Sequence, residues 1–282
     1  MGVVLALVSA LTYGLSDFVG GVVSRRTSAW PVAVLAQLSS TASTALVAML
    51  FPGDPRWTDF GWALLAGLGT GTGTAFLYRG FASGRMSVVA PVSAVGSAVV
   101  PVLVGALAGE RPAALVWLGI VLALPGIWLV SSTPEPALEA TRPRVSLAEG
   151  VVDGILAGVG FGVLFAALGQ VPQDAGLWPL ATAQGASIPA VIALAGVLGA
   201  SWRPRGRTVW LALLAGPLGA TATTAFLLAS QRGYLTVAGV LASLYPASTV
   251  LLAAAVLHER VHRAQAVGLV LCGLAVALVA GG

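Results

Sequence analysis

The sequence predicts an all-α membrane protein with ten transmembrane helices that form two inverted five-helix repeats. The chain of 282 residues is 57% hydrophobic and only 9% charged, whereas soluble domains are about 45–50% apolar and about 25% charged. Apolar runs long enough to cross a bilayer recur along the whole chain. The second half also repeats residue patterns of the first half at a nearly constant spacing, which indicates a duplicated unit.

Ten apolar runs separated by short polar gaps define the predicted spans, because a helix needs about 20 apolar residues to cross the hydrocarbon core. The first run has no basic region ahead of it, so we expect it to stay as a transmembrane helix and not to be cleaved as a signal peptide. The spans are 2–23, 30–51, 60–79, 86–108, 113–131, 150–169, 177–200, 209–229, 235–257 and 265–281.

Each span of the first half has its own local signals. The first two spans are separated by a gap that contains Arg25 and Arg26. The third holds the run 69–74, whose alternating glycine and threonine permit close helix contact or a flexible wall. The fourth holds Pro91, where the missing N–H frees a carbonyl and bends the helix. The fifth follows Pro112, a residue suited to a first helical turn.

The longest gap, 132–149, contains three prolines and five charges and lies close to the middle of the chain. We interpret it as a linker. The predicted organisation is therefore a first five-helix repeat over 1–131, the linker over 132–149 and a second repeat over 150–282.

The spans of the second half are supported by their likeness to those of the first. Matching residues keep a spacing of between 147 and 150 positions. They include Trp30-Pro31 with Trp178-Pro179, Gln37 with Gln184, Thr74-Ala75-Phe76-Leu77 with Thr224-Ala225-Phe226-Leu227, and Glu110-Arg111 with Glu259-Arg260. Since each repeat has an odd number of helices, the second repeat must enter the bilayer from the opposite face, an arrangement common in alternating-access transporters.

The charged residues and the few metal-ligating residues exclude several classes of protein. Cys272 is the sole cysteine, and His258 and His262 are the two histidines, so disulfide, Fe–S, haem and His-rich metal sites are not expected. We therefore expect no cofactor. The fourteen basic residues are all arginines, and they lie in or beside the gaps. This pattern is typical of membrane-flanking charge and does not indicate a nucleic-acid partner.

The arginines also predict an orientation. Numbered along the chain, the odd gaps hold eleven arginines and the even gaps hold Arg56, Arg111 and Arg232. The positive-inside rule then places the odd gaps in the cytoplasm and both termini outside. We call the face formed by the even gaps the arginine-poor face.

The end of each half resembles the EamA-type repeat of the drug/metabolite transporter superfamily, and the resemblance covers nearly the whole chain. It rests on the two tandem copies, the ten helices, the length, and a Glu in the last loop of each half. The residues concerned are Ala90-Pro91, Pro101, Gly109-Glu110 and Gly119 in the first copy, and Ser243-Leu244-Tyr245-Pro246, Glu259 and Gly268 in the second.

The resemblance implies a secondary active transporter in the cell inner membrane that moves a small metabolite or drug-like molecule by alternating access. Export is the expected direction. The expected partners are the lipid bilayer, a small-molecule substrate and protons, and the protein acts as a monomer or a homodimer. Relatives with ten helices have cytoplasmic termini, which is opposite to the orientation that the arginines predict.

Asp17 is the first candidate site residue, because an ionised carboxylate inside a span costs about 2.5–3.5 kcal/mol unless it is paired or hydrated. It could exchange a proton for a cationic or zwitterionic substrate. Small-multidrug-resistance relatives carry an essential acid in their first helix, which implies the same role for Asp17. Its counterpart, Phe165, is not acidic, so the role would be asymmetric. The structural alternative is a pair with Arg25 or Arg26.

Further candidates lie at positions that could line a cavity. Arg79, beside Tyr78, could hold a carboxylate or phosphate, pair with Asp17, or extend to the membrane interface. Gln37 and Gln184 are buried amides, which must find partners; they could face the cavity or link neighbouring helices. The other predicted substrate-binding residues are Tyr13 in an aromatic wall, and Ser93, Ser243 and Tyr245 on the proline-containing spans.

Two glutamates at the start of the last helix of each half, Glu110 and Glu259, are interpreted as helix caps, because a carboxylate favours the positive end of a helix. Two alternative functions remain open at this point. The motif His258-Glu259-Arg260-Val261-His262 matches the zinc protease pattern, although it falls in a predicted gap. A lipid-handling membrane scaffold would share the same helices.

Overall fold

The computed structural model describes residues 1–83, 86–132, 147–256 and 261–282. Within these ranges the chain folds into helices joined by short connections. The α-helices are α1 (Gly2–Arg26), α2 (Ala29–Leu50), α3 (Trp57–Ala82), α4 (Met86–Leu107), α5 (Ala114–Ser131), α6 (Leu147–Leu168), α7 (Trp178–Val197), α8 (Ala215–Ser230), α9 (Leu235–Ala242), α10 (Tyr245–Val256) and α11 (Arg263–Gly281). Short 3-10 helices cover Gln173–Ala175 and Thr208–Leu214.

The predicted fold class is confirmed. Among the described residues, nine helical segments are long and apolar enough to cross a membrane. The third predicted span, α3, is a helix of 26 residues but is not one of the nine, because its glycine and threonine run lowers its hydropathy. Much of the predicted linker, 133–146, lies outside the described residues.

The two halves pack into each other and not side by side. Helix α1 packs against α8, α9 and α10, and its counterpart α6 packs against α3 and α4. The corresponding helices α2 and α7 also contact each other, as do α5 and α11. When a helix of one half packs against a helix of the other half, the counterparts of these two helices also pack together. This is the packing expected for two repeated halves.

The alternating residues of α3 explain how this helix packs. Cβ atoms on Gly69 and Gly73 would lie 2.5 Å from the Gly160 carbonyl oxygen and 2.7 Å from the Phe161 ring, both on α6. A Cβ on Gly71 would lie 2.8 Å from the Ser187 carbonyl oxygen on α7. The glycines therefore permit close contact with two helices, while Thr70 and Thr74 of the same run line a cavity.

The ninth predicted span, 235–257, forms two helices and not one. Helix α9 ends at Ala242 and α10 begins at Tyr245, because Pro246 has no N–H to continue the hydrogen-bond ladder. The Ser243 hydroxyl donates to the Gly239 carbonyl at 2.8 Å and accepts from the Ser97 hydroxyl at 3.0 Å. The hydrogen bond from Ser97 thus fixes the break between α9 and α10 against α4.

Glu110 caps a different helix from the one predicted. Its carboxylate accepts the backbone N–H groups of Leu235 at 2.6 Å and Thr236 at 2.9 Å, the first residues of α9 in the other half. It therefore caps α9 and not α5. The capping role is the one expected of a carboxylate at a helix N-terminus, but the sequence did not indicate the partner helix. Glu259 lies outside the described residues.

We expect Glu110→Ala to lower the free energy of unfolding by about 1–2 kcal/mol, because two N–H groups of α9 lose a charged acceptor. Glu110→Gln keeps one oxygen acceptor, so its free energy of unfolding should lie between those of Glu110→Ala and the natural protein. Thermal unfolding of the purified proteins measures the difference, with the exposed neighbour substitution Arg111→Ala as control. An equal effect of the Glu110 and Arg111 substitutions would contradict the cap.

Candidate functional site

A cavity lies between α1, α2, α3, α6, α7 and α8, with about 420 Å³ of empty space that includes open solvent. Helices of both halves form its walls. Five of the predicted site residues line it, namely Tyr13, Asp17, Gln37, Tyr78 and Gln184. Sequence reasoning missed other polar lining residues, such as Ser16, Ser40, Thr70, Thr74 and Thr223. Single serines and threonines in apolar runs are common, so the sequence carried no signal that would have selected these.

Asp17 lines the cavity and, among the described residues, makes neither a hydrogen bond nor a salt bridge. The predicted alternative pairing with Arg25 or Arg26 is therefore not seen, and neither is a pair with Arg79. The aromatic residues near its carboxylate include Tyr13 on its own helix, Tyr78 on α3 and Tyr245 on α10. A carboxylate in such a cavity can hold a proton or a cationic group.

Gln37 and Gln184 make equivalent contacts in the two halves. The Gln37 amide donates to the Thr74 hydroxyl at 3.0 Å, linking α2 to α3. The Gln184 amide donates to the Thr223 hydroxyl at 2.9 Å, linking α7 to α8. Both residues also line the cavity, so the two roles considered from the sequence occur together. The hydrogen bonds align Thr74 with Thr223, one position before the Thr224 suggested by sequence matching.

Aromatic rings surround the Asp17 side of the cavity. The Tyr13 ring contacts Phe165 edge to face with 5.7 Å between centroids, and Phe165 lies 4.4 Å from the Phe226 ring. Tyr13 also lies 6.4 Å from Tyr245. The first of these contacts joins the two halves, because Tyr13 and Phe165 belong to α1 and α6.

The Tyr78 hydroxyl occupies the space that a side chain at position 20 would fill, so this position must be a glycine. A Cβ at that position would lie 2.1 Å from the hydroxyl oxygen, far closer than non-bonded atoms approach. The Tyr78 side chain is 2% exposed in a packed surrounding, so it has little room to move away. Gly20 thus positions a ring that lines the cavity.

We expect Gly20→Ala to weaken ligand binding and to destabilise the protein by about 1–3 kcal/mol, the usual cost of overpacking. Gly61→Ala is the matched control, because a Cβ on Gly61 meets nothing within 4 Å and alanine favours a helix. Thermal unfolding with and without ligand measures both effects. Equal behaviour of the two variants would show that the Tyr78 position is not constrained by Gly20.

Arg79 lies outside the cavity lining and pairs with an acid that the sequence analysis did not consider. Its guanidinium forms a salt bridge with Asp153 on α6, in which its Nε donates at 3.0 Å to the carboxylate. The guanidinium also lies 4.6 Å from the centre of the Phe76 ring. Asp153 is 1% exposed. A signal for it existed, since Asp153 is an acid inside the sixth predicted span.

Three other predicted substrate residues lie together beside the cavity, where α4 meets α9 and α10. The Ser93 and Tyr245 hydroxyl oxygens are 3.4 Å apart, and the Ser97 hydroxyl donates to Ser243 at 3.0 Å. Ser93 and Ser243 are fully buried. The structure therefore brings Ser93, Ser243 and Tyr245 to one helix crossing, but they do not line the cavity.

The motif that resembles a zinc protease is only partly described. His258 and Glu259 lie outside the described residues. His262 directly precedes α11, and its backbone N–H donates to the Gln265 side-chain oxygen at 3.0 Å. The motif therefore ends where a helix begins, whereas two zinc ligands four residues apart need to lie on one helix face.

Repeated, interlocked helices around a polar cavity define a multi-pass integral membrane protein of the transporter class. The sequence model of the EamA-like transporter family matches residues 1–132 and 148–281. The chain therefore belongs to the EamA-like transporter family, and the predicted family resemblance is confirmed.

Comparison with solved structures supports the fold. One of them, a crystal structure of a protein 17% identical in sequence, has a TM-score of 0.72 over 98% of this chain and 95% of the other. The curated proteins contain no match to this sequence.

Proposed function

We propose that this transporter is a secondary carrier, which moves one small metabolite or drug-like molecule by alternating access and couples its movement to protons at Asp17. The observation that carries the proposal is the cavity walled by both halves, which holds a carboxylate without a partner among the described residues. Asp17 then binds either a proton or the substrate, which couples their movements.

Contacts on the arginine-poor face, two of them between the halves and one within the second half, support alternating access. The Asp54 N–H donates to the Asp174 carbonyl at 2.8 Å, joining the second gap to the sixth. The Gln231 amide donates to the Val171 and Pro172 carbonyls at 3.2 and 3.1 Å, joining the eighth gap to the sixth. With the Glu110 cap of α9, these bonds link all four even gaps. We define this set of contacts as the seal.

In the proposed cycle, the seal closes the cavity toward the arginine-poor face and must open for the substrate to pass. The break between α9 and α10 supplies a position where this end of the second half can bend, because the helical ladder is already interrupted at Ser243 and Leu244. If the arginines orient the protein as predicted, opening of the seal releases substrate outside the cell, which is export.

Counterflow in liposomes tests the proposal. Purified protein is first screened by thermal stability against amino acids, sugars, nucleosides and amines at several pH values, because a ligand of the folded state raises its stability. The stabilising compound is then loaded into proteoliposomes and its labelled form added outside. We expect transient, saturable accumulation of label. A flux that does not saturate would indicate a channel, and binding without any flux would indicate a scaffold; both would overturn the carrier.

A further inference from the structure

The walls of the cavity offer several hydrogen-bond acceptors. The Gln37 and Gln184 amide nitrogens each donate one N–H to a threonine hydroxyl, and the amide carbonyl oxygens remain for a ligand. The hydroxyls of Ser16, Thr70 and Thr223 also donate to backbone carbonyls, at 3.0, 2.8 and 2.9 Å. Each of these hydroxyl oxygens can therefore offer lone pairs. A ligand that donates several hydrogen bonds fits such walls.

The charge of the cavity is that of one carboxylate. Asp17 is the charged side chain among its described lining residues, none of which is an arginine, and the sequence contains no lysine. A ligand carboxylate or phosphate would therefore lose its water without gaining a positive partner. A ligand with a single positive charge would instead balance Asp17.

The two halves differ at the positions that matter for charge. Asp17 and Tyr13 of the first half correspond to Phe165 and Phe161 of the second at a spacing of 148 positions. Tyr78 corresponds to Leu227 when Thr74 is aligned with Thr223 as the hydrogen bonds indicate. Phe165 fills its position by packing on the Tyr13 and Phe226 rings. The cavity thus has one place for a cationic group, next to the tyrosines, and an apolar wall formed by α6.

We infer that the substrate is an organic monocation whose positive nitrogen carries N–H groups, such as a primary amine on an apolar or aromatic body. The inference rests on the proposed function, and it narrows the ligand of the same cavity. The ammonium group would bind Asp17 and donate to the amide carbonyls. The apolar body would lie against Phe161 and Leu164, which line the cavity from α6. Tyrosine rings attract a cation through their faces.

Four probes of similar size separate the features of such a ligand. Phenethylamine carries one ammonium group, phenylalanine adds a carboxylate, 2-phenylethanol has no charge, and trimethyl-phenethylammonium has a charge without N–H groups. Binding to the purified natural protein is measured by thermal stability and calorimetry at neutral pH. We expect phenethylamine to bind at least ~10-fold more tightly than each of the others, because only it makes charged hydrogen bonds without burying an anion.

Variants test whether Asp17 is the partner of the amine. Asp17→Asn should weaken phenethylamine binding at least ~10-fold, and Asp17→Glu should retain part of it. Arg205→Gln is the control, since Arg205 is an exposed charge that lies outside both the cavity lining and the seal. The unfolding temperature without ligand shows whether each variant folds. Undiminished amine binding by a folded Asp17→Asn variant would overturn the inference.

The outcomes separate this inference from the carrier proposal. Tighter binding of phenylalanine or 2-phenylethanol, with saturable counterflow of that compound, would overturn the monocation and leave the carrier intact. Binding of phenethylamine with no counterflow would overturn the carrier and leave the ligand class intact. Failure of phenethylamine to bind at millimolar concentration would overturn the inference.

Discussion

Asp17→Asn is expected to abolish substrate accumulation driven by a pH gradient, while exchange of substrate across the membrane persists at raised concentration. Asparagine cannot release a proton, so substrate binding and proton binding no longer compete at this position. It also loses the charge that holds a cationic ligand, which should raise the concentration needed for half-maximal exchange at least ~10-fold. The carboxylate has no hydrogen-bond partner among the described residues, so the variant leaves no orphaned group in that part of the chain.

The measurement uses proteoliposomes with and without an imposed pH gradient, each with the ligand identified by thermal screening. Arg205→Gln, an exposed charge outside the cavity and the seal, should behave as the natural protein in both assays. Retention of gradient-driven accumulation by Asp17→Asn would contradict proton coupling at this residue. Aggregation of the variant on purification would indicate that Asp17 has a structural role instead.

The fold could be predicted because membrane helices depend on local composition. Every predicted span contains a described helix, and the duplication was readable from pairs such as Gln37 with Gln184. The two departures involve contacts between segments distant in sequence. The break after Ala242 depends on Pro246 together with a hydrogen bond from Ser97 on α4. The partner of Glu110 lies 125 residues away.

The candidate site was predicted in part for the same reason. Asp17 and the two glutamines stood out because polar groups inside an apolar run are costly. Arg79 was also conspicuous, but its partner Asp153 lies 74 residues further along the chain, and local sequence cannot show which acid an arginine reaches. Ser93, Ser243 and Tyr245 lie on the expected spans, yet beside the cavity Ser93 contacts Tyr245 and Ser243 contacts Ser97. The sequence could predict which helix carries each residue. The direction in which each side chain points depends on how the two halves pack together, which the sequence does not show.

Gly53→Val is expected to hold the seal open and to stop transport. A Cβ on Gly53 would lie 2.5 Å from the Gly176 backbone nitrogen and Cα and 2.6 Å from the Ala175 carbonyl carbon. These are backbone atoms that cannot rotate aside, so the second and sixth gaps must separate. Any state with the seal closed then becomes less favourable, and the population shifts toward the open state by the difference in free energy.

A cysteine at Ser40 reports on the seal, because Ser40 lines the cavity and is 3% exposed. In a Cys272→Ala background, the Ser40→Cys protein in nanodiscs is treated with a membrane-impermeant maleimide. A clash that shifts the equilibrium between the closed and open seal by about 1.4 kcal/mol raises the labelling rate ~10-fold. Counterflow should fall, because the cavity no longer closes. Gly61→Val on α3 is the matched control, since a Cβ there meets nothing within 4 Å. Unchanged labelling and normal counterflow in Gly53→Val would show that contact between the second and sixth gaps does not control access to the cavity.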